Sequence, residues 1–221
     1  MGQMALGYGS EFHLLRWMGR HRNEFDRRVK QLLHIDNIFW KDFDFEKGKT
    51  IPDKELKGIS FLKDEPKYDS IFTTWQNEWP QSGNSMNWDL VGYIEKDMEK
   101  TWLLIEAKAH INELKQSSGA SPESLSKIEG ALKSAAAYYG INVSLDNPWS
   151  KKYYQLANRI YILSLLKRKG FNAKLINIYF VGDMSSKDRK SPQSEKEWLK
   201  EIEKILGHSK CIFNRYCGFV S

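Results

Sequence analysis

Asp89, Glu106 and Lys108 are the residues whose types and spacing could do chemistry. Asp89 lies at the start of one apolar run, Trp88-Asp89-Leu90-Val91-Gly92-Tyr93-Ile94. Glu106 and Lys108 close another, Thr101-Trp102-Leu103-Leu104-Ile105-Glu106-Ala107-Lys108. The polar turn between the runs, Glu95 to Lys100, predicts a β-hairpin. A turn centred between Asp97 and Met98 sets Asp89 directly across from Glu106, with Cβ atoms about 4.5–5.5 Å apart. Period two then places Lys108 on the face of Glu106 and Ala107 on the other. Two carboxylates facing each other repel, so one is driven to protonate unless a cation bridges them. Mg2+ suits such a place, because it takes one or two carboxylates and keeps waters and phosphate oxygens around it. An ion held there makes a hydroxide-like nucleophile and neutralises charge growing on a phosphorane oxygen. Lys108 could orient the attacking water or stabilise that same charge. The plainer alternative is a solvated strand end with Lys108 as an ordinary ion-pair partner, since Glu-x-Lys alone is a weak tripeptide.

The elements that must position these residues follow from punctuation and periodicity. Ser10 is the expected cap of a helix through Phe12, Leu14, Leu15, Trp17 and Met18, bending near Gly19 before Phe25, Val29 and Leu32. A strand is expected over Ile38 to Trp40, continuing with alternation towards Phe45. From Glu46 to Met86 the pattern dissolves into Gly, Pro, Asp, Ser and scattered aromatics. We read this as an irregular insertion within a single domain over 1–221, and its length leaves room for an element the pattern does not reveal. Apolar residues on both faces of the hairpin imply a sheet covered on both sides. Ser121-Pro122 starts a helix that ends at Gly140. A second helix runs from about Trp149 to Lys169, with Leu156, Ile160 and Leu163 on one face and Gly170 as its stop. Leu175 to Val181 is a buried strand, and Ser191-Pro192 starts a last helix through Trp198, Ile202 and Ile205 that Gly207 closes. This order predicts an α/β sandwich around a mixed central sheet flanked by helices.

The block Trp88-Asp89 with Ile105-Glu106-Ala107-Lys108 resembles the active site of the PD-(D/E)xK nuclease superfamily, the restriction-endonuclease-like fold with an αβββαβ core. That family sets its Asp at the start of the second core strand and its Glu-x-Lys on the third. Trp88 stands where the family name has Pro, a position without a role in the chemistry. The whole chain looks most like a bacterial branch in which the Glu-x-His-Leu-Leu-Arg segment, the Glu-Ala-Lys-Ala block and a Tyr-Gln-x-Ala-Asn-Arg helix recur. The resemblance implies Mg2+- or Mn2+-dependent hydrolysis of phosphodiester bonds, with Asp89 and Glu106 as metal ligands and Lys108 as the catalytic lysine. It also implies a part for Glu11, because an acid on the first helix reaches the metal in several branches; a first-turn carboxylate complementing the helix dipole explains Glu11 equally. Gln155 and Arg159 are i and i+4 on the second long helix, with Tyr154 and Asn158 as the adjacent pair. The segment looks like the Gln-x-x-x-Tyr helix of the RecB and lambda-exonuclease branch, with Arg159 in place of the tyrosine. Gln155 could then hold a phosphate or a water and Arg159 clamp a phosphate, with Tyr154 beside them, or the pair could be an inter-helix hydrogen-bond set.

Composition bounds the partners. The chain has 221 residues, 41% hydrophobic and 28% charged, which excludes wholesale disorder. Its 34 Lys and Arg against 28 Asp and Glu leave +6, a modest excess that permits a polyanion without demanding one. No stretch approaches the roughly 20 apolar residues of a membrane span, and Met1 to Ser10 lack a secretion-signal pattern. Cys211 and Cys217 cannot make a disulfide framework and read as ordinary reduced thiols, so a cytoplasmic protein is expected. His110 and Asp183 read as loop and turn residues, and Trp75, Trp79 and Trp88 as core rather than base-stacking platforms. Basic runs such as Lys151-Lys152 and Lys167-Arg168-Lys169 read as solvated helix ends or a phosphate track. The expectation is a metal-dependent nuclease acting on DNA. The alternatives are a catalytically silent nucleic-acid-binding module of the same fold and a nuclease acting on RNA.

Overall fold

The computed structural model describes residues 7–41, 55–81, 86–140, 148–206 and 217–220. Its centre is a mixed five-stranded sheet whose strands lie in the order β1 (Phe39–Trp40), β4 (Leu90–Lys96), β5 (Glu99–Lys108), β6 (Asn172–Phe180) and β7 (Cys217–Val220). Strand β4 (Leu90–Lys96) and strand β5 (Glu99–Lys108) form the hairpin. Their register runs from Leu90 opposite Ile105 to Lys96 opposite Glu99, as the sequence predicts. Asp97 and Met98 take φ of 53° and 64° in the two-residue turn, a backbone that follows the right-handed twist of the strands. Strand β1 (Phe39–Trp40) lies antiparallel to β4 at one edge. A Cβ on Gly92 would come within 2.9 Å of the Phe39 carbonyl oxygen and 2.7 Å of the Trp40 ring, so only glycine lets this edge close. Strand β6 (Asn172–Phe180) runs parallel to β5, and strand β7 (Cys217–Val220) parallel to β6. Nothing in the sequence reading anticipated β7; Cys211 lies outside the described residues.

One face of the sheet is covered by α1 (Ser10–Gly19) and α2 (Arg22–Leu33), with Leu14, Met18, Phe25 and Val29 packed on Leu103, Ile105, Ala107, Ile176 and Ile178. The expected single bent helix is therefore two helices. Ser10 does not cap the first: Gly9 holds that position at φ 95°, and the Ser10 hydroxyl donates to Glu113 Oε2 instead. The other face meets α3 (Tyr68–Glu78), α4 (Pro122–Tyr138), α5 (Pro148–Lys151) and α6 (Tyr154–Arg168). Ser121 caps α4 through its hydroxyl, which accepts from Ser124 N, with Pro122 in the first turn. The expected helix over 149–169 is broken at Lys152 and Tyr153. There the Tyr154 N–H bonds the Gln116 carbonyl at 2.9 Å, so the loop after β5 is fastened to the start of α6. From Ala157 to Leu166 every residue of α6 is buried, where the sequence suggested a single apolar face.

The region expected to be irregular is partly ordered. It contributes α3, a 3-10 turn over Ser60–Leu62, and β2 (Leu56–Lys57), which pairs with β3 (Asn87–Trp88). Phe61, Leu62, Ile71, Trp75 and Trp79 from this stretch join Trp88 in the core, so the tryptophans are packing residues and do not present faces to a nucleic acid. Of the expected strand towards Phe45, residues 42–45 lie outside the described set. The last helix, α7 (Glu195–Leu206), begins four residues after Ser191, with the Ser194 hydroxyl accepting from Glu197 N. Its Trp198 packs against Tyr179 and donates to the Phe180 carbonyl; Gly207 is outside the described residues. No helix among the described residues is long and apolar enough to cross a membrane.

Candidate active site

The chain breaks its strand at Asp89, between β3 and β4, one step beyond the last hairpin pair. The break frees the Asp89 side chain to reach across to β5, where its Oδ2 accepts the Ala107 N–H at 2.6 Å. Its other oxygen has no partner among the described residues. Glu106 and Lys108 project to the α6 face, while Ala107 between them enters the core under α1 and α2. The alternation expected from the sequence therefore holds, with Glu106 buried and Asp89 half-buried beside it.

Glu106 is 4% exposed and each of its oxygens faces a cation. Lys108 Nζ donates to Oε1 at 2.5 Å and Arg159 Nε to Oε2 at 2.8 Å. Burial pushes the Glu106 carboxyl up, but Arg159 and Lys108 outweigh it and hold the group below the usual range. Asp89 goes the other way. Burial, and then the Glu106 charge beside it, push its carboxyl up to about 7 against the pull of Lys108, the Ala107 N–H and Arg159. Two neighbouring acids are thus driven apart, the pattern expected of a site tuned for chemistry.

Arg159 is 5% exposed and turned inward. Its remaining nitrogens donate to Asn158 Oδ1 at 2.8 Å and the Asn87 carbonyl at 2.5 Å, and its guanidinium lies 5.0 Å from the Trp88 ring centre. Of the two readings the sequence left open, the internal hydrogen-bond set is the one seen: three Arg159 donors are committed to the protein, and its charge holds Glu106. Tyr154, one turn earlier, shares hydrogen bonds with Asn158 and Ser118, and burial pushes its phenol up. Gln155 keeps a buried amide oxygen without a partner. Glu11 is not brought to the pair. It is exposed in the first turn of α1, where a negative charge complements the helix dipole.

His13, missed in the sequence, and the loop residues His110 and Asp183 form a pin between elements. The His110 ring lies 3.0 Å from Glu113 Oε1 and 3.3 Å from Asp183 Oδ2. Asp183 also accepts from Gly9 N and lies 3.1 Å from His13 Nε2. This cluster ties the start of α1 to the ends of β5 and β6, a structural part larger than the turn role expected for Asp183. On the outer surface Arg27 and Arg28 both grip Glu24, holding its carboxyl down to about 2, and Arg168 grips Glu78. These arginines are partly spent on neighbours.

Among the described residues no group of three or more His, Cys, Asp and Glu side chains could hold a metal. Asp89 and Glu106 are a two-carboxylate, all-oxygen set. That set fits Mg2+, which binds through one or two carboxylates and retains its waters. The unspent oxygen of Asp89 and the repulsion from Glu106, which Lys108 and Arg159 offset only in part, are what an added cation would satisfy.

Fold and site together define a mixed α/β protein with a central sheet flanked by helices and an acid pair with a lysine at its hairpin. No protein-family model, curated protein or solved structure matches the chain.

Proposed function

We infer that the protein is a metal-dependent nuclease on a restriction-endonuclease-like frame, hydrolysing phosphodiester bonds of DNA. The observation that carries this reading is the pair Asp89 and Glu106, brought together at the end of the hairpin with Glu106 buried, Asp89 half-buried beside it, and one Asp89 oxygen unspent among the described residues. The run α1, α2, β1, β4, β5, α4, α6, β6 accords with an αβββαβ core, the first two helices standing for the first α. Asp89 and Glu106 would hold Mg2+ or Mn2+, which supplies a water acidified towards hydroxide and charge stabilisation on the phosphate. Lys108 keeps Glu106 ionised and presents its other N–H groups towards the reacting phosphate. Arg159 holds Glu106 from the opposite side and fixes its direction. Tyr154 and Gln155, at the start of α6, would contact the strand of nucleic acid.

One observation favours a second reading, a silent nucleic-acid-binding module. Arg159 already places a positive charge on Glu106 where a metal would act. Cleavage separates the two. In Mn2+ the wild type should cut plasmid or single-stranded DNA, and should stop in EDTA. Lys108→Met, which keeps the buried stem, should cut at least about 100-fold more slowly while binding the same DNA. A wild type that binds and cuts nothing would point to the module; one that cuts only RNA would point to an RNA-directed enzyme.

A further inference from the structure

Arg159 is fixed on four sides. It reaches from α6 onto Glu106, with Nε donating to Oε2 at 2.8 Å. Its other nitrogens donate to Asn158 Oδ1 at 2.8 Å and to the Asn87 carbonyl at 2.5 Å, and its guanidinium lies 5.0 Å from the Trp88 ring centre. Glu106, Asn158 and Trp88 are all buried, and the Trp88 indole N–H is itself held by the Gly58 carbonyl. Each partner is either backbone or a buried side chain, so the guanidinium has one place to sit.

Hydrolases that use two divalent ions set them about 3.5–4 Å apart and neutralise the attacking and the leaving oxygen together. Two such ions need several open carboxylate oxygens. At this centre the Ala107 N–H takes one Asp89 oxygen and Arg159 takes Oε2 of Glu106. What remains is the second Asp89 oxygen and the lone pair of Glu106 Oε1 that Lys108 leaves, since a carboxylate oxygen accepts twice. Those oxygens are enough for one ion that keeps its waters. Charge points the same way. With Asp89 ionised, the two carboxylates, Lys108 and Arg159 sum to zero. With one divalent ion the centre stands at +2, which a substrate phosphate opposes in part. With two it would stand at +4 beside a buried guanidinium that has nowhere to turn.

We propose that Arg159 takes the place of a second divalent ion at Glu106, so that the centre holds one ion per chain. Arg159 is then a positioning residue, touching Glu106 and no substrate atom. This assignment rests on the nuclease reading and deepens it.

Counting bound Mn2+ by electron spin resonance at pH 8, with a thymidine dinucleotide present as the phosphodiester, tests this. The wild type should bind one Mn2+ per chain. Arg159→Lys keeps a positive charge at Glu106 and should also bind one. Arg159→Met removes the charge and should bind two. Two ions on the wild type or on Arg159→Lys, or a single ion on folded Arg159→Met, overturns the assignment and leaves the nuclease reading standing. If Arg159→Met does not fold, wild-type crystals in Mn2+ decide. A single anomalous peak with the guanidinium still on Oε2 upholds the assignment; a second peak, or a displaced guanidinium, overturns it. A wild type that binds no Mn2+ at all brings down the nuclease reading, and the role of Arg159 with it.

Discussion

Glu106→Gln should lower the melting temperature by roughly 10 °C, the largest stability loss expected from any single change at the centre. The glutamine keeps the shape and removes the charge. Lys108 and Arg159 then remain as two buried cations whose shared counter-ion has gone. Removing one partner of such a group costs about 3–5 kcal/mol, because the desolvation of the others is no longer compensated. Adding Arg159→Met to the same chain should restore part of the loss, since one of the stranded charges is then absent. A double-mutant cycle in chemical denaturation reads this directly: coupling well above 1 kcal/mol is expected for groups in one network. Additive losses would mean that Arg159 and Glu106 do not depend on each other. Cleavage should disappear in Glu106→Gln, but so would folding at elevated temperature, so activity must be read well below the melting point.

Asp89→Asn should do the opposite in the metal-free protein. The Asp89 carboxyl titrates near 7 in the folded chain against 3.8 in its ordinary state. Between those values the folded state binds the extra proton, so the unfolded state gains on it as pH rises. The destabilisation is absent below about pH 4, grows through the interval and is complete above pH 7. Its full size is on the order of 2–4 kcal/mol. Asparagine carries no charge and keeps an oxygen for the Ala107 N–H. In EDTA the variant should therefore melt several degrees above the wild type at pH 8, with the two curves meeting at pH 4. Equal melting at both pH values would show that Asp89 is comfortably ionised without a cation. Cleavage should be lost at every pH, which sets stability and function of the same side chain against each other.

The hairpin was legible because its signals agree. Apolar runs on both sides of a short polar turn leave one register, and that register predicts the meeting of Asp89, Glu106 and Lys108. Ser121-Pro122 was equally plain as a helix start. Other features depend on contacts that no local pattern carries. The break at Tyr153 exists because the Gln116 carbonyl, far away in the chain, takes the Tyr154 N–H. Helix α3 was hidden because Tyr68 to Glu78 mixes Thr, Asn and aromatics, and gains its stability from burying Ile71 and Trp75. Ser10 looks like a cap and instead spends its hydroxyl on Glu113. Arg159 reads as a surface clamp from helical spacing alone; only the burial of α6 on all sides turns it inward.

Crystals soaked in Mn2+ and measured at the manganese absorption edge test most directly whether these two acids are built to share a cation. An anomalous peak should stand at about 2.1 Å from an oxygen of Asp89 and an oxygen of Glu106, with Arg159 still on Glu106 or swung aside to admit it. A peak elsewhere, or none at millimolar Mn2+ with substrate present, would contradict the account and leave Lys108 and Arg159 as the counter-ions that satisfy Glu106.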